Sequence, residues 1–201
     1  IAEVIRKYPQ LFVITDEIYE FLIAEDQVHH SFAAVAPDLK ERVFTINGFA
    51  KSWAMTGWRI GYLSGNVEVI KASSALQSHS TSNVCSFAQR GALAAISGSR
   101  DCVKKMVKSY NIRRDQLTKG IQNINGMSIV PPQGAFYAFP QLPKGSIDSV
   151  EFCHRALEEV GLAIIPGLVF GKKDFIRLSC AASSDNIKDG LQRLANFITN
   201  T

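Results

Sequence analysis

The sequence predicts an α/β protein: part of a large domain built on a mostly parallel sheet with helices, followed by a smaller α+β domain. Three observations support this class. The continuous apolar run at residues 11–15 and the largely apolar run at 42–46 are typical of parallel strands buried on both faces, in a chain that also carries helical segments. The composition, with 46% hydrophobic and 20% charged residues, is ordinary for a globular chain. The pattern changes near residue 100, so we expect domains at 1–100 and 101–201.

The first domain is expected to begin with a helix and to contain three strands. Apolar residues at helical spacing predict a helix over residues 1–8. Because no capping residue precedes it, we expect the chain to begin inside a helix of a longer protein. Asn83 is the predicted N-cap of the last helix in this domain. The predicted strands are 11–15, 42–46 and 59–63, and the predicted helices after them are 67–77 and 83–96.

The second domain is expected to mix helices and strands. Asp101 can cap a long helix that carries apolar residues on one face and ends near the turn at 125–126. A final amphipathic helix is predicted to start at Ser183 or Ser184. Between these two helices the sequence predicts a helix at 149–160 and strands at 162–165 and 175–179.

The charge, the cysteines and the hydropathy argue against several classes of function. The positive charges behind the net charge of +4 are scattered along the chain. The nearest approach to a cluster is formed by Arg113, Arg114 and Lys119, which are expected to lie on a solvated helix face. No nucleic-acid partner is therefore expected. The four cysteines and four histidines have no metal-ligand spacing, so no metal site is expected. Reduced, buried thiols favour a cytoplasmic protein. No apolar run is long enough to span a bilayer, so no membrane partner is expected.

Two residues with chemical potential directly follow predicted strands. In α/β sheets ligands bind beyond the carboxyl ends of the strands, where Asp16 and Lys51 are expected to lie. Asp16 opens the string DEIYE, which also contains Tyr19. Arg59 comes eight residues after Lys51, across a loop that contains Gly57. Each residue alone has an ordinary structural explanation, but chance explains the whole set, in this order and spacing, poorly.

The string K-x-x-x-M-T-G-W-R-I-G-Y, which starts at Lys51, resembles the Schiff-base lysine motif of class I aminotransferases, and DEIYE resembles their cofactor strand. The chain thus resembles the second half of the aspartate aminotransferase superfamily, whose members are fold-type-I enzymes dependent on pyridoxal 5'-phosphate (PLP). The resemblance implies that Lys51 carries PLP as a Schiff base and shuttles the proton in catalysis. It also implies that Asp16 pairs with the pyridinium nitrogen, that Tyr19 donates to the phenolic oxygen and that Arg59 binds the phosphate.

The resemblance extends through the rest of the chain. FIRLS, at 175–179, resembles the strand with the substrate arginine, which implies that Arg177 binds the α-carboxylate through two parallel hydrogen bonds. PPQGAFY resembles the segment that enters the small domain, which implies that Phe136 packs near the substrate. In the family, the loop that resembles SHSTSN reaches the cofactor of the neighbouring subunit. Ser82 or Asn83 is therefore expected to contact the phosphate there, although helix capping explains Asn83 equally well.

The resemblance predicts an aminotransferase that moves an amino group between an amino acid, such as aspartate, and a 2-oxo acid, and that is a homodimer when full length. Two alternatives remain open: a PLP-binding, aminotransferase-like domain of a transcription regulator, and another fold-type-I PLP enzyme. A third is a truncated product without activity. Because the first half of the family's length is missing, the chain alone is expected to expose apolar sheet surface and to be poorly soluble or inactive.

Overall fold

The computed structural model describes residues 1–200, whose contacts divide the chain into two compact units. The first unit comprises Ile1–Phe21 and Val28–Lys105. The second comprises Leu22–Gln27 and the residues from Met106 onward. The chain therefore enters the second unit twice, and each unit is described by itself.

The elements follow one another in the order expected for an α/β chain. None of the helices among residues 1–200 is long and apolar enough to cross a membrane. The strands are β1 (Val13–Asp16), β2 (Val43–Gly48), β3 (Gly61–Ser64), β4 (Tyr137–Ala138), β5 (Ile165–Pro166) and β6 (Ile176–Ser179). The α-helices are α1 (Ala2–Lys7), α2 (Phe32–Val35), α3 (Val67–Ser80), α4 (Ser86–Ser97), α5 (Asp101–Gln122), α6 (Ser149–Val160) and α7 (Ser184–Thr199). Short 3₁₀ helices occupy Pro37–Arg42, Thr56–Trp58 and Gly167–Phe170.

The first unit contains a three-stranded sheet of order β1-β2-β3. β1 and β2 are parallel, and their register runs from Val13 opposite Val43 to Asp16 opposite Ile46. β3 pairs antiparallel with β2, and residues 49–60, which join the two strands, contain no α-helix that could form a parallel crossover. The predicted α/β class is confirmed, with a sheet of mixed direction.

The prediction that β1 is buried on both faces is wrong for this chain. Val13 packs on a buried cluster that includes Leu39 and Val43. Successive side chains of a strand point to opposite faces, and Ile14, the next residue, is 71% exposed. On β2, Ile46 is also exposed. On this face of the parallel pair Ile14 and Ile46 are open while Phe44 is buried, which agrees with the expectation of exposed apolar sheet surface for those two residues.

Two helices of the first unit begin with different caps. Asn66 caps α3, and its side-chain oxygen accepts hydrogen bonds from two backbone N–H groups of the first turn. α4 begins at Ser86 with Cys85 as its N-cap, so the prediction that Asn83 caps this helix is wrong. The reason is that the helix starts too late for Asn83 to reach its first turn. The Asn83 amide donates instead to the carbonyl oxygen of Val84, at 2.9 Å.

The second unit packs α5, α6 and α7 around an antiparallel sheet of order β4-β6-β5. The side chains of Phe152, Ile176 and Leu194 are fully buried in this core. The final helix starts as predicted, with Ser183 as the N-cap. Its hydroxyl oxygen accepts a hydrogen bond from the N–H of Asn186 at 3.1 Å. Unlike the sheet of the first unit, this core is closed by its own helices.

The predicted domains at 1–100 and 101–201 stay a prediction. Residues 22–27 belong to the second unit, which no local signal in the sequence predicts. There the N–H of Ala24 donates to the carbonyl oxygen of Gln133 at 2.8 Å. A pairing over such a sequence separation depends on the folded chain and not on local propensity.

The N-cap of α6 offers a test of the second unit's local energetics. The Asp148 carboxylate accepts hydrogen bonds from the N–H groups of Val150 and Glu151, at 2.9 and 3.3 Å. We expect Asp148→Ala to lower the free energy of unfolding by about 1 kcal/mol, as measured by urea denaturation. Glu158→Ala, an exposed acid on the same helix, should change it by less than about 0.5 kcal/mol. Equal effects of the two variants would contradict the capping role.

Candidate active site

The carboxyl end of β1 carries a carboxylate and a phenol. Asp16 is the last residue of the strand, and Ile46 lies opposite it on the parallel neighbour β2. The Oδ1 atom of Asp16 accepts a hydrogen bond from the N–H of Ile18 at 3.1 Å, so the side chain stabilises the turn that follows the strand. Tyr19 lies half-buried in that turn. Both polar groups thus sit at the edge of the sheet where α/β proteins bind ligands.

Lys51 lies half-buried in the turn that begins where β2 ends at Gly48. A Cβ atom at Gly48 would lie 2.9 Å from the Cα atom of Gly61 on β3, so glycine allows the two strands to meet at the base of this turn. The N–H of Ala54 donates to the carbonyl oxygen of Lys51 at 3.2 Å. Because β1 and β2 are parallel neighbours, the end of β1 at Asp16 and the segment after β2 that contains Lys51 belong to the same edge of the sheet.

Arg59 is held by its backbone conformation and by its neighbours. It directly follows the 3₁₀ helix, where its φ of 51° is left-handed. Its Nη1 atom donates to the carbonyl oxygen of Thr56 at 3.1 Å. The adjacent residue Trp58 packs on α4, where a Cβ atom at Gly91 would overlap the indole ring. The position of the Arg59 backbone therefore depends on close packing between this turn and α4.

Backbone strain is concentrated beside the predicted site residues. Among residues 1–200, four non-glycine residues have positive φ: Ala54 (54°), Arg59 (51°), Ser82 (60°) and Ala135 (56°). Two of them are themselves predicted site residues, and the other two lie close to Lys51 or next to Phe136 in sequence. Such conformations persist where the surrounding structure requires them, and they are common at functional sites.

The loop before α4 lines two open cavities of the first unit. One, of about 760 Å³, is lined by residues that include Arg59, Asn83 and Phe87. The other, of about 580 Å³, is lined by residues that include Tyr62, Ser82 and Asn83. Asn83 and Arg59 therefore share a cavity, whereas Ser82 lines the adjacent one. Among the described residues, no three His, Cys, Asp or Glu side chains form a group that could hold a metal ion.

Glu17, which follows Asp16, is a buried acid that sequence reasoning missed. It is 6% exposed, and its Oε1 atom accepts hydrogen bonds from Ser31 Oγ at 3.0 Å and Phe32 N at 3.1 Å. Its Oε2 atom lies 3.2 Å from His29 Nε2. Burial by itself would raise the pKa of Glu17, but the hydrogen bonds from His29, Phe32 and Ser31 hold that pKa below its ordinary value. The only signals in the sequence for this buried acid were an acidic residue in DEIYE and the string HHSF downstream.

The lowered pKa of Glu17 predicts a loss of stability in acid. A group whose pKa is depressed by folding stabilises the fold above its unfolded-state value, about 4.3 for Glu, and this contribution is lost as the pH falls through the folded-state pKa. We expect Glu17→Gln to flatten part of the acid limb when stability is measured by thermal unfolding between about pH 3 and pH 7. The loss of stability in acid should not vanish in this variant, because the pKa values of Asp38 and Glu159 are lowered too.

A matched control for this variant is Glu25→Gln, which changes an exposed acid to the same amide. As a substitution at an exposed position, it is expected to change the free energy of unfolding at pH 7 by less than about 0.5 kcal/mol. If the curve of Glu17→Gln ran parallel to the wild type throughout the acid limb, the linkage assigned to Glu17 would be wrong.

The second unit contains the two predicted substrate residues. Arg177 lies half-buried on β6. Its Cζ atom is 4.5 Å from the ring centroid of Tyr137 and 4.7 Å from that of Phe170. Phe136 packs against Tyr137 with ring centroids 4.6 Å apart and stacks on Tyr110 at 5.6 Å. Tyr137 therefore connects Phe136 to Arg177 within this unit.

The chain is similar to known proteins over nearly its whole length. The family described as aminotransferase class I and II matches residues 1–194. A probable aspartate/prephenate aminotransferase of Rickettsia felis is 38% identical over 204 residues, which cover 96% of this chain and 50% of the relative. An aspartate aminotransferase of Streptomyces avermitilis is 39% identical over 198 residues, which cover 94% of this chain and 48% of the relative. The chain thus spans about half the length of these relatives.

Solved structures agree with the sequence matches. The aspartate aminotransferase from Rhizobium meliloti superposes with a TM-score of 0.93 at 34% identity, over 98% of this chain and 52% of that one. The aromatic aminotransferase from Pyrococcus horikoshii OT3 superposes with a TM-score of 0.94 at 32% identity, over 99% of this chain and 54% of that one. The family match covers nearly the whole chain, and the fold agrees with it, so the chain belongs to the class I and II aminotransferase family.

Proposed function

We propose that the protein is a PLP-dependent aminotransferase that transfers an amino group between an amino acid, such as aspartate, and a 2-oxo acid. Enzymes of this family depend on PLP. The observation that carries the proposal is that Asp16 ends β1 while Lys51 follows the end of β2, its parallel neighbour, so both residues belong to the carboxyl-end side of the same sheet. A carboxylate and an amine at one sheet edge are the two groups that PLP chemistry requires of a protein.

The side chains of the first unit fit the cofactor by their chemistry. The amine of Lys51 suits covalent attachment to the cofactor aldehyde, and the carboxylate of Asp16 suits its ring nitrogen. The phenol of Tyr19 suits the ring oxygen. The guanidinium of Arg59 suits the phosphate, and so does the hydroxyl of Ser82. Every one of these residues belongs to the first unit.

The proposed roles follow from the local structure of each residue. When bound, PLP supplies an electron sink for the bond that breaks at the substrate's Cα atom. Lys51 removes the proton from that carbon and returns it later, which requires an amine on a turn with a fixed backbone. Asp16 holds a proton at the ring nitrogen, and its anchoring by Ile18 N keeps the carboxylate at the end of β1. Tyr19 donates its phenolic proton to the ring oxygen.

The proposal includes the substrates and the assembly. Arg177 binds the substrate's α-carboxylate with a planar fork of N–H donors, and Phe136 packs beside the substrate. The active protein is a cytoplasmic homodimer in which Ser82 contacts the phosphate of the partner's cofactor. The relatives named above as aspartate/prephenate, aspartate and aromatic aminotransferases support this reaction class. No observation favours a transcription regulator.

The reaction class can be tested by steady-state kinetics on the full-length protein. We expect amino-group transfer from an amino acid to a 2-oxo acid with parallel double-reciprocal plots, the signature of a ping-pong mechanism. A panel of acidic, aromatic and aliphatic amino acids then identifies the donor. Release of ammonia or carbon dioxide without a transaminated product would replace this proposal with an elimination or decarboxylation. Tight PLP binding without turnover of any donor would favour a sensor.

A further inference from the structure

The guanidinium of Arg177 lies beside two aromatic rings that reach it from opposite flanks of its strand. β6 is the central strand of the second sheet, with β4 on one side and β5 on the other. Tyr137 belongs to β4, and Phe170 ends the 3₁₀ helix that follows β5. The Cζ atom of Arg177 is 4.5 and 4.7 Å from the two ring centroids, within the range of cation–π contacts.

The register of the sheet explains how Tyr137 reaches Arg177. Tyr137 lies opposite Ser179 on β6. Residues two apart on a strand share a face, so Arg177 and Ser179 point to the same side of the sheet. Diagonal neighbours on one face are close enough for an aromatic and a long side chain to touch.

A tight turn holds Phe170 in place. Gly167, at the start of the turn, donates its N–H to the carbonyl oxygen of Phe175 at 2.7 Å, and a Cβ atom at Gly167 would overlap that oxygen. The ring of Phe170 contacts Phe139 edge to face at 5.8 Å, and Phe139 stacks on Phe175 at 5.1 Å. Phe170 therefore packs on Phe139, although its side chain is 48% exposed.

The two rings restrict the guanidinium without consuming its hydrogen-bond donors. Among residues 1–200, no carboxylate forms an ion pair with Arg177, so the cation is left to bind an anion from outside the chain. A guanidinium carries five N–H donors in its plane, and a carboxylate accepts two of them in parallel. A side chain that is already held in one orientation loses less conformational entropy when it binds.

We propose that Tyr137 and Phe170 are positioning residues that orient the guanidinium of Arg177 for bidentate binding of the substrate's α-carboxylate. The inference rests on the proposed function in assigning that carboxylate to Arg177. Neither Tyr137 nor Phe170 touches the reacting atoms, but the two residues determine how well the substrate binds. The aromatic ring of each residue is the part that orients the guanidinium.

Variants that keep or remove a ring test the proposal in the full-length protein. Phe170→Leu and Tyr137→Leu remove the ring, and Phe170→Tyr and Tyr137→Phe keep it. We expect each leucine variant to raise KM for the amino acid about tenfold, with kcat within about twofold of the wild type. The ring-keeping variants should stay within about twofold in both parameters. Leucine variants with unchanged KM, or with a lower kcat alone, would overturn the proposal.

Nuclear magnetic resonance provides a readout that needs neither turnover nor the proposed reaction. In protein with ¹⁵N-labelled arginine, ring currents should move the Arg177 Hε resonance upfield, and titration with propionate should shift it further. Phe170→Leu should lose part of the upfield shift and weaken propionate binding. A wild-type resonance without a ring-current shift would refute the positioning role, even if a leucine variant failed to fold. If Arg177 shows the ring-current shift and binds propionate but the full-length protein does not transaminate, the proposed function alone would be refuted.

Discussion

Replacement of Lys51 by alanine is expected to abolish covalent attachment of PLP and to lower the transamination rate at least about 10⁴-fold. The variant removes the amine that attaches the cofactor and moves the Cα proton. The turn should persist, because the N–H of Ala54 donates to the backbone carbonyl oxygen of residue 51, which the substitution leaves in place. The measurement is reduction with borohydride in the presence of PLP, digestion, and mass spectrometry of the labelled peptide.

The control is Lys71→Ala, which removes an exposed lysine on α3 whose surface ion pair with Glu68 contributes little to stability. It should retain both the pyridoxyl label at Lys51 and the wild-type rate. A Lys51→Ala protein that kept its activity, or a wild-type protein labelled mainly at other lysines, would refute the assignment of Lys51. The same experiment on the 201-residue chain tests whether the chain alone binds the cofactor.

Replacement of Asp16 by asparagine is expected to lower the rate about 10- to 100-fold, the equivalent of the ~1.5–3 kcal/mol contributed by a hydrogen bond to a charged group. An amide cannot hold a proton at the ring nitrogen as a carboxylate does. The substitution preserves structure well, because the amide oxygen can still accept the hydrogen bond from Ile18 N. The loss of activity is therefore expected without a loss of fold.

The matched control for this experiment is Asp26→Asn, the same change at an exposed acid that has no assigned role. Rates and thermal unfolding midpoints should be measured together for both variants. Equal midpoints with a lower rate only for Asp16→Asn would support the proposed role. An Asp16→Asn protein with the wild-type rate would exclude Asp16 as the partner of the ring nitrogen.

The family and the fold class were accessible from sequence because their signals are local and dense. The string that starts at Lys51 and the string DEIYE identified the aminotransferase resemblance, which the family match confirms. The start of α7 was also predicted, at Ser183 or Ser184, since a capping hydroxyl before an apolar stripe is a short-range signal; the helix begins at Ser184 with Ser183 as its N-cap. The cap at Asn83 was predicted wrongly, because the turn before α4 delays the start of that helix.

The sequence by itself determined which chemical groups the chain carries, their order, and which of them follow strands. Only the tertiary structure decided that the buried carboxylate of Glu17 contacts four polar groups, that Arg59 is left-handed beside a tryptophan that contacts α4, and that two rings flank Arg177. Each of these features joins residues far apart in sequence or depends on packing against another element. Local propensity cannot encode such contacts, because they form only when the sheet register and helix packing bring distant residues together.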